Sequence, residues 1–178
     1  MSRNIEIKAT VPNWDSAHRA AAKLADGPAR KLEQEDVFFL VPTGRLKLRT
    51  INAGTDQARC ELIHYLRPDQ PGPKQSDYSL LPISDPLIAR QMLERLHGIR
   101  AVVRKTRWLY LHGQTRIHLD RVETLGDFLE LEVVMNESQS AEDGQRIALE
   151  LAAQLGVTPD HLVDCAYVDL LEKNQPRT

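Results

Sequence analysis

Two carboxylates, Glu130 and Glu132, stand two residues apart in a stretch whose alternate positions are Leu129, Leu131 and Val133. Alternation with period two marks a strand with one apolar face, so both carboxylates project from the other face, a pairing suited to a hard divalent cation such as Mg²⁺ or Mn²⁺. The same parity gathers further charges. Glu6 and Lys8 alternate with Ile5, Ile7 and Ala9; Lys47 and Arg49 alternate with Leu46 and Leu48; Arg116, His118 and Asp120 alternate with Ile117 and Leu119. Arg59, Glu61 and Arg67 follow the rule less cleanly beside Cys60, Leu62, His64 and Leu66. Lysine binds phosphate as a point charge and arginine as a bidentate fork, so a site holding both sets fits a metal-bound polyphosphate. The chain contains neither Gly-x-x-x-x-Gly-Lys nor Gly-x-Gly-x-x-Gly, which excludes a nucleoside triphosphatase of the usual P-loop type.

The elements that must position these groups are mostly strands. Besides the five alternating segments, Leu32 to Val41 and Ala101 to His112 are rich in β-branched, aromatic and apolar residues. Turn signals such as Pro42-Thr-Gly44, Asn52-Ala-Gly54 and His112-Gly113 separate neighbours by short connections, which predicts antiparallel hairpins. Four helices are predicted. The first covers Asp15 to Ala25, started by an Asp or Ser; the second runs from Asp85 to His97 with Ser84 as N-cap and Leu87, Met92, Leu93 and Leu96 available for burial. The third follows Ser140 and stops at Gly156, and the fourth opens at Thr158-Pro159 with Leu162, Ala166 and Leu170 on one stripe. Pro68 to Pro82 holds four of the ten prolines and reads as a long exposed loop. If the sheet is open, its charged face is a solvated surface. If about eight strands close into a barrel, the same side chains fill a lumen in which charges of both signs need partners.

The chain has 178 residues with 25 acidic and 23 basic side chains, a net charge of −2, and 42% hydrophobic residues. That length and composition describe one globular domain, residues 1–178, and argue against disorder. The charge balance gives no basic excess for duplex binding, and 5% aromatic residues provide no stacking platform for RNA, so no nucleic-acid partner is expected. The longest apolar run is Val37 to Val41, which predicts no membrane span. The charged start, Met1 to Lys8, lacks the apolar region of a signal peptide, so a cytoplasmic location is expected. Cys60 and Cys165 are too far apart for a zinc half-site and read as buried small hydrophobes.

Taken in order along the chain, these segments resemble the CYTH superfamily of triphosphate tunnel metalloenzymes, which joins class IV adenylyl cyclases and thiamine triphosphatases. Asn4-Ile-Glu-Ile-Lys8 resembles its amino-terminal Glu-x-Glu-x-Lys signature. Gln34 to Phe39, Arg45 to Arg49 and Glu61 to Pro68 look like its second, third and fourth strands, and Val103-Arg-Lys-Thr-Arg107 is similar to its Val-x-Lys-x-Arg strand. Arg116 to Glu132 resembles the carboxyl-half signature of the class IV cyclase branch, and Ala166 to Leu171 its closing helix. The resemblance implies an α+β fold: an eight-stranded antiparallel closed β-barrel, a tunnel, with helices packed on the outside. It implies Glu6, Glu130 and Glu132 as ligands for Mg²⁺ or Mn²⁺, and Lys8, Lys47, Arg49, Lys105, Arg107 and Arg116 as triphosphate binders. Arg59 matches a lumen-facing position on the substrate side, and Asp120 joins Glu6 and Lys8 as a catalytic candidate.

The implied partner is a small-molecule triphosphate, and a homodimer through an outer face is compatible with the fold. The implied chemistry is that of a class IV adenylyl cyclase, ATP to cyclic AMP and pyrophosphate; the alternative is a triphosphatase acting on inorganic or organic triphosphates. One departure matters: Asn4 stands where the family has its first Glu. An amide oxygen can ligate but cannot neutralise a cation or accept a proton, so a single metal is expected, and a non-catalytic triphosphate-binding module is a further alternative. Plain structural readings stand beside these: a cross-strand ion pair for Glu6 and Lys8, a wet strand face for Lys105 and Arg107, and a buried acceptor for Asp36.

Overall fold

Each strand of this protein has an apolar parity and a charged parity, and the computed structural model shows what separates them: the sheet closes, with the charged parity inside. The structure describes residues 2–174; Met1 and residues 175–178 of the expected domain lie outside them. The strands are β1 (Ser2–Thr10), β2 (Arg30–Phe39), β3 (Arg45–Ile51), β4 (Arg59–Leu66), β5 (Lys74–Pro82), β6 (Ile99–His112), β7 (Thr115–Val122) and β8 (Gly126–Val134). They pair in the order β1-β5-β4-β3-β2-β6-β7-β8 and back to β1, antiparallel throughout. The eight-stranded barrel expected from the resemblance is therefore present, and closure removes every sheet edge.

Three helices cover the outward apolar parity. Helices α1 (Trp14–Leu24) and α3 (Ala141–Gln154) pack on Ile5, Ile7, Ile117, Leu119, Leu129 and Leu131, through Ala17, Ala21, Ala148 and Leu151. Gly144 lets α3 approach closely, since a Cβ there would lie 2.6 Å from the Ile5 side chain and 2.5 Å from the Met135 sulfur. Helix α2 (Pro86–His97) lies over Val37, Phe39, Leu48 and Cys60. Helix α4 (Tyr167–Asn174) packs differently. Its Tyr167 and Val168, with Ala166, meet inward-facing Phe38, Ile63, Val103, Val122 and Phe128 at one end of the barrel and form a floor there. Asp169 anchors this helix by accepting from Arg45 at 2.8 Å and Arg100 at 2.7 Å. Among the described residues no helix is long and apolar enough to cross a membrane.

Several sequence expectations are corrected. Pro68 to Pro82 is not one loop: its second half is β5, which closes the barrel between β1 and β4. Its outer face carries Gln75, Asp77 and Ser79 and no helix covers it, so no apolar alternation advertised the strand. Helix α1 starts earlier than expected because the Asn13 side chain caps it, accepting from the Ser16 N–H at 2.9 Å. Helix α2 is capped by Asp85 rather than Ser84, with Asp85 accepting from the Ile88 N–H at 3.0 Å. The fourth helix does not begin at Pro159, where there is only a single 3₁₀ turn, and Leu162 is extended and bridges to Ala9. On α2, Leu87, Met92 and Leu96 are 74%, 57% and 72% exposed; only Ala89 and Leu93 reach the barrel, because a straight helix against a curved wall buries one narrow stripe.

The two kinds of leucine should separate in denaturant unfolding. Leu131→Ala, in the sealed outer core, should cost about 2–5 kcal/mol, whereas Leu87→Ala should stay within about 0.5 kcal/mol. A comparable loss at both positions would contradict this packing.

Candidate functional site

Alternate residues of all eight strands enclose a cavity of about 350 Å³, within the range of small-molecule sites. Nine basic and five acidic side chains line it, so the lumen has a surplus of positive charge inside a chain of net charge −2. The groups form a depth series. Arg59 and Arg116 stand at the rim, 51% and 43% exposed at the side chain; Glu130 and Glu132 lie deeper at 15% and 19%; Lys8 and Arg107 lie at 3% and 2%; Asp120 at the floor is fully enclosed.

Strand register builds the charge pairs. Lys8 faces Glu130 across the β1–β8 ladder and approaches it to 2.6 Å. Arg107 faces Asp120 across β6–β7 and donates to it from Nε at 2.6 Å, while its terminal nitrogen bridges Asp120 and Glu130. Lys105 donates to Asp120 at 3.1 Å and the Tyr167 hydroxyl donates to the same carboxylate at 2.9 Å, so with Arg107 both oxygens of Asp120 are occupied. The Tyr167 ring also lies 3.3 Å from the Lys8 nitrogen and 4.7 Å from that of Lys105, joining the floor helix to the cations. Across the lumen Asp36 accepts from Arg49 at 2.7 Å and Lys47 at 3.1 Å. This arrangement fixes the cations in pairs, each pair on one buried carboxylate.

Crowding shows in the proton affinities. Burial pushes the Glu130 carboxyl up, but Lys8, Lys105 and Arg107 outweigh it and hold it well below the usual carboxylate range. Burial likewise opposes Arg49 and Lys47 at Asp36, and Arg107 and Lys105 at Asp120, and in both cases the cations win. Lysines move the other way. Burial lowers Lys8 and Lys105, with Glu130 and Asp120 only partly offsetting it, and burial together with Arg49 pushes Lys47 down to about 7.

The structure thus brings Lys8, Lys47, Arg49, Lys105, Arg107 and Arg116 into one lumen, with Arg59 at its rim, paired loosely to Glu61 at 3.6 Å. Glu6 also faces the lumen, but its carboxylate accepts from Arg67 at 2.7 Å and is not among the groups that converge as metal ligands. Those are Glu130, Glu132 and His118, whose ligand atoms lie within 4.8 Å of one another. The neighbours of the Asn4 amide, the Ser76 carbonyl at 3.3 Å and Glu6 at 3.1 Å, are both acceptors, which assigns its nitrogen to that side as a donor to Glu6 where a second carboxylate would repel it. Sequence reading gave no role to His118, Arg67 or Tyr167. The first two share the parity of Arg116, Asp120 and Tyr65 and were legible as lumen residues on that ground; Tyr167 was not, because its reach depends on where α4 docks. Burial, with Arg107 beside it, pushes the His118 imidazole down to about 4, so it is neutral at physiological pH. Two guanidinium nitrogens of Arg67 have no hydrogen-bond partner. A larger groove of about 1130 Å³ lies outside the barrel under the start of α2, but its charged walls neutralise each other, Arg90 and Arg104 both on Glu35.

The CYTH domain family model matches residues 2–167. No curated protein sequence matches the chain. Among solved structures it is similar to PH1012 protein from Pyrococcus horikoshii OT3, at 28% identity over 94% of this chain and 98% of that one, TM-score 0.81. It shares its fold with a candidate adenylate cyclase from Vibrio parahaemolyticus, at 18% identity over 95% and 97% of the two chains, TM-score 0.77. HpAC1 of Hippeastrum, described as having a dominant triphosphatase activity, shares the fold at 15% identity over 98% and 97%, TM-score 0.68.

Removing the floor acceptor should be expensive. Asp120→Ala leaves Lys105 and Arg107 short of an anion and should cost about 3–5 kcal/mol in denaturant unfolding, far more than Arg59→Ala at the rim. Because Asp36, Asp120 and Glu130 titrate below their unfolded values, the stability they supply is complete only above about pH 5 and is lost as the pH falls through their folded values. Acid unfolding followed by circular dichroism checks that sign.

Proposed function

As this chain belongs to the CYTH domain family, we propose that it is a metal-dependent enzyme that seats the triphosphate of a nucleoside triphosphate in its lumen and acts as an adenylyl cyclase does, releasing pyrophosphate. The observation that carries this is the depth series. With the floor closed by α4, a triphosphate enters from the rim, end first. Its distal phosphates then meet the deep cations Lys8, Lys47, Arg49, Lys105 and Arg107, and its proximal phosphate stays near Glu130, Glu132 and the rim. Charge that develops on departing pyrophosphate would be met by groups already fixed in a water-poor site, where oriented dipoles and charges act most strongly.

Glu130 and Glu132, with the bare nitrogen of His118 beside them, suit a divalent cation, Mg²⁺ or Mn²⁺. When bound it supplies charge neutralisation at phosphate oxygens. The chain's own groups do the rest. Arg67 offers two unpartnered guanidinium nitrogens to phosphate oxygens while its third holds Glu6. Asp120, with no free oxygen, is a positioning residue that fixes Lys105 and Arg107. Arg116 and Arg59 at the rim are free enough to meet the entering anion.

One observation favours a second reading, a triphosphatase. The aromatic rings that line the lumen, such as Phe38 and Tyr167, belong to its floor cluster, and the rim offers Leu32, Ile51, Leu80 and Leu109. Recognition would then rest on the triphosphate and not on what it carries. Incubation of the protein with ATP, inorganic triphosphate and thiamine triphosphate, each with Mg²⁺ or Mn²⁺, separates the two. Cyclic AMP with pyrophosphate supports the cyclase, orthophosphate the triphosphatase, and tight binding without any product leaves a binding module. Glu130→Ala or Glu132→Ala should lower metal-dependent turnover by at least about a hundredfold; full activity in both would sink the site assignment.

Lys47 gives a pH signature. At about 7 it is half charged near neutrality, and a bound polyanion favours its charged form, so binding above pH 7 takes up a proton. Affinity for inorganic triphosphate should fall between pH 7 and 9, by up to about tenfold per unit, and Lys47→Arg, which stays charged, should flatten the fall. Calorimetry in buffers of different ionisation heat measures both; identical pH profiles for the two proteins would remove Lys47 from the site.

A further inference from the structure

We propose that His118 supplies a nitrogen ligand to the cation held by Glu130 and Glu132, and that this donor set biases the site toward Mn²⁺ and other transition-metal ions over Mg²⁺. The inference rests on the metal reading above and specifies which ion that site takes. Three observations carry it. His118 is 3% exposed and its Nδ1 has no hydrogen-bond partner, in a class of atom that folded proteins almost always satisfy. That nitrogen points at both carboxylates, 3.7 Å from Glu132 and 4.0 Å from Glu130, too far for a hydrogen bond and close enough for one cation to touch all three groups. All three side chains sit on rigid ladder positions: His118 lies directly across from Glu130 in the β7–β8 register, and Glu132 follows two residues on.

The other side of the lumen explains why a third donor is needed there. The carboxylate expected from β1, Glu6, is not among the groups that converge there, and position 4 is Asn; Glu130, which does converge, also accepts from Lys8 and Arg107. Within the lumen His118 is the sole histidine among the lining residues. An imidazole nitrogen suits transition metals, whereas Mg²⁺ demands oxygen ligands and retains its waters, so an N₁O₂ set from the protein discriminates between them.

The test is pulsed electron paramagnetic resonance on the full chain with Mn²⁺ alone. Wild type should show modulation from a directly bound ¹⁴N, replaced by a ¹⁵N signal when histidine is isotopically labelled. The other histidines do not compete: His18 bonds Tyr110, His64 bonds the Thr43 carbonyl, His112 bonds the Leu24 carbonyl, and His97 and His161 lie on α2 and the 3₁₀ turn. His118→Gln should abolish the modulation, lower Mn²⁺ affinity at least about tenfold and change Mg²⁺ affinity less than about threefold. Mn²⁺ bound by wild type without nitrogen coupling, but still lost in Glu132→Gln, overturns the histidine assignment and leaves the metal site standing. Absence of Mn²⁺ binding, or binding unchanged in both Glu130→Gln and Glu132→Gln, overturns the metal reading and this inference together. The wild-type spectrum decides the question even if the histidine variant fails to fold.

Discussion

A closed barrel has no second face turned to solvent, so every charge on its inward parity must find a partner of opposite sign or a ligand. That constraint organises this protein. Asp120 illustrates it: fully enclosed, it binds Lys105, Arg107 and Tyr167 at once, and through Tyr167 it ties the floor helix to the barrel. The site and the fold are therefore not separable layers. The hydrogen bonds that aim the cations are the same ones that close one end of the tunnel and turn it into a cup.

Pairing inside the lumen is complete enough to fold and incomplete enough to bind. Asp36, Asp120 and Glu130 hold five cations among them, yet Arg67 keeps unpartnered nitrogens, Arg116 reaches Glu132 only at 3.4 Å and His118 has no partner at Nδ1. On the proposed reading, a metal-bound polyphosphate exchanges these partners. Lys8 and Arg107, which now hold Glu130, would hold the anion, and the Glu130 carboxylate would be available to hold the cation. Metal and triphosphate would then favour each other's binding through shared groups, without any movement of the strands.

Much of this was legible from parity. Glu6, Lys8, Lys47, Arg49, Arg116, Glu130 and Glu132 could be assigned to one face because period-two alternation leaves no other choice. His118 obeys the same rule, but a lone histidine on a charged face carries no chemical signature of its own. Other features were hidden for physical reasons. Strand β5 has an uncovered outer face, so its sequence lacks the apolar alternation that marks its neighbours. The leucines of α2 looked buried because helical spacing shows which residues share a side and not how wide a stripe a curved surface can cover.

The sequence by itself determined the strand parities, the sign and type of the inward groups, and the family signatures of the two halves, all of which depend on spacing along the chain. Only the tertiary structure decided which acid holds which base. Glu6 goes to Arg67 rather than to the cluster of Glu130 and Glu132, and Asp120 becomes a buried anchor with no free oxygen, because partner choice depends on distances between strands far apart in the chain. The floor under the lumen was likewise decided by where α4 docks, a matter of three-dimensional packing that no local pattern encodes.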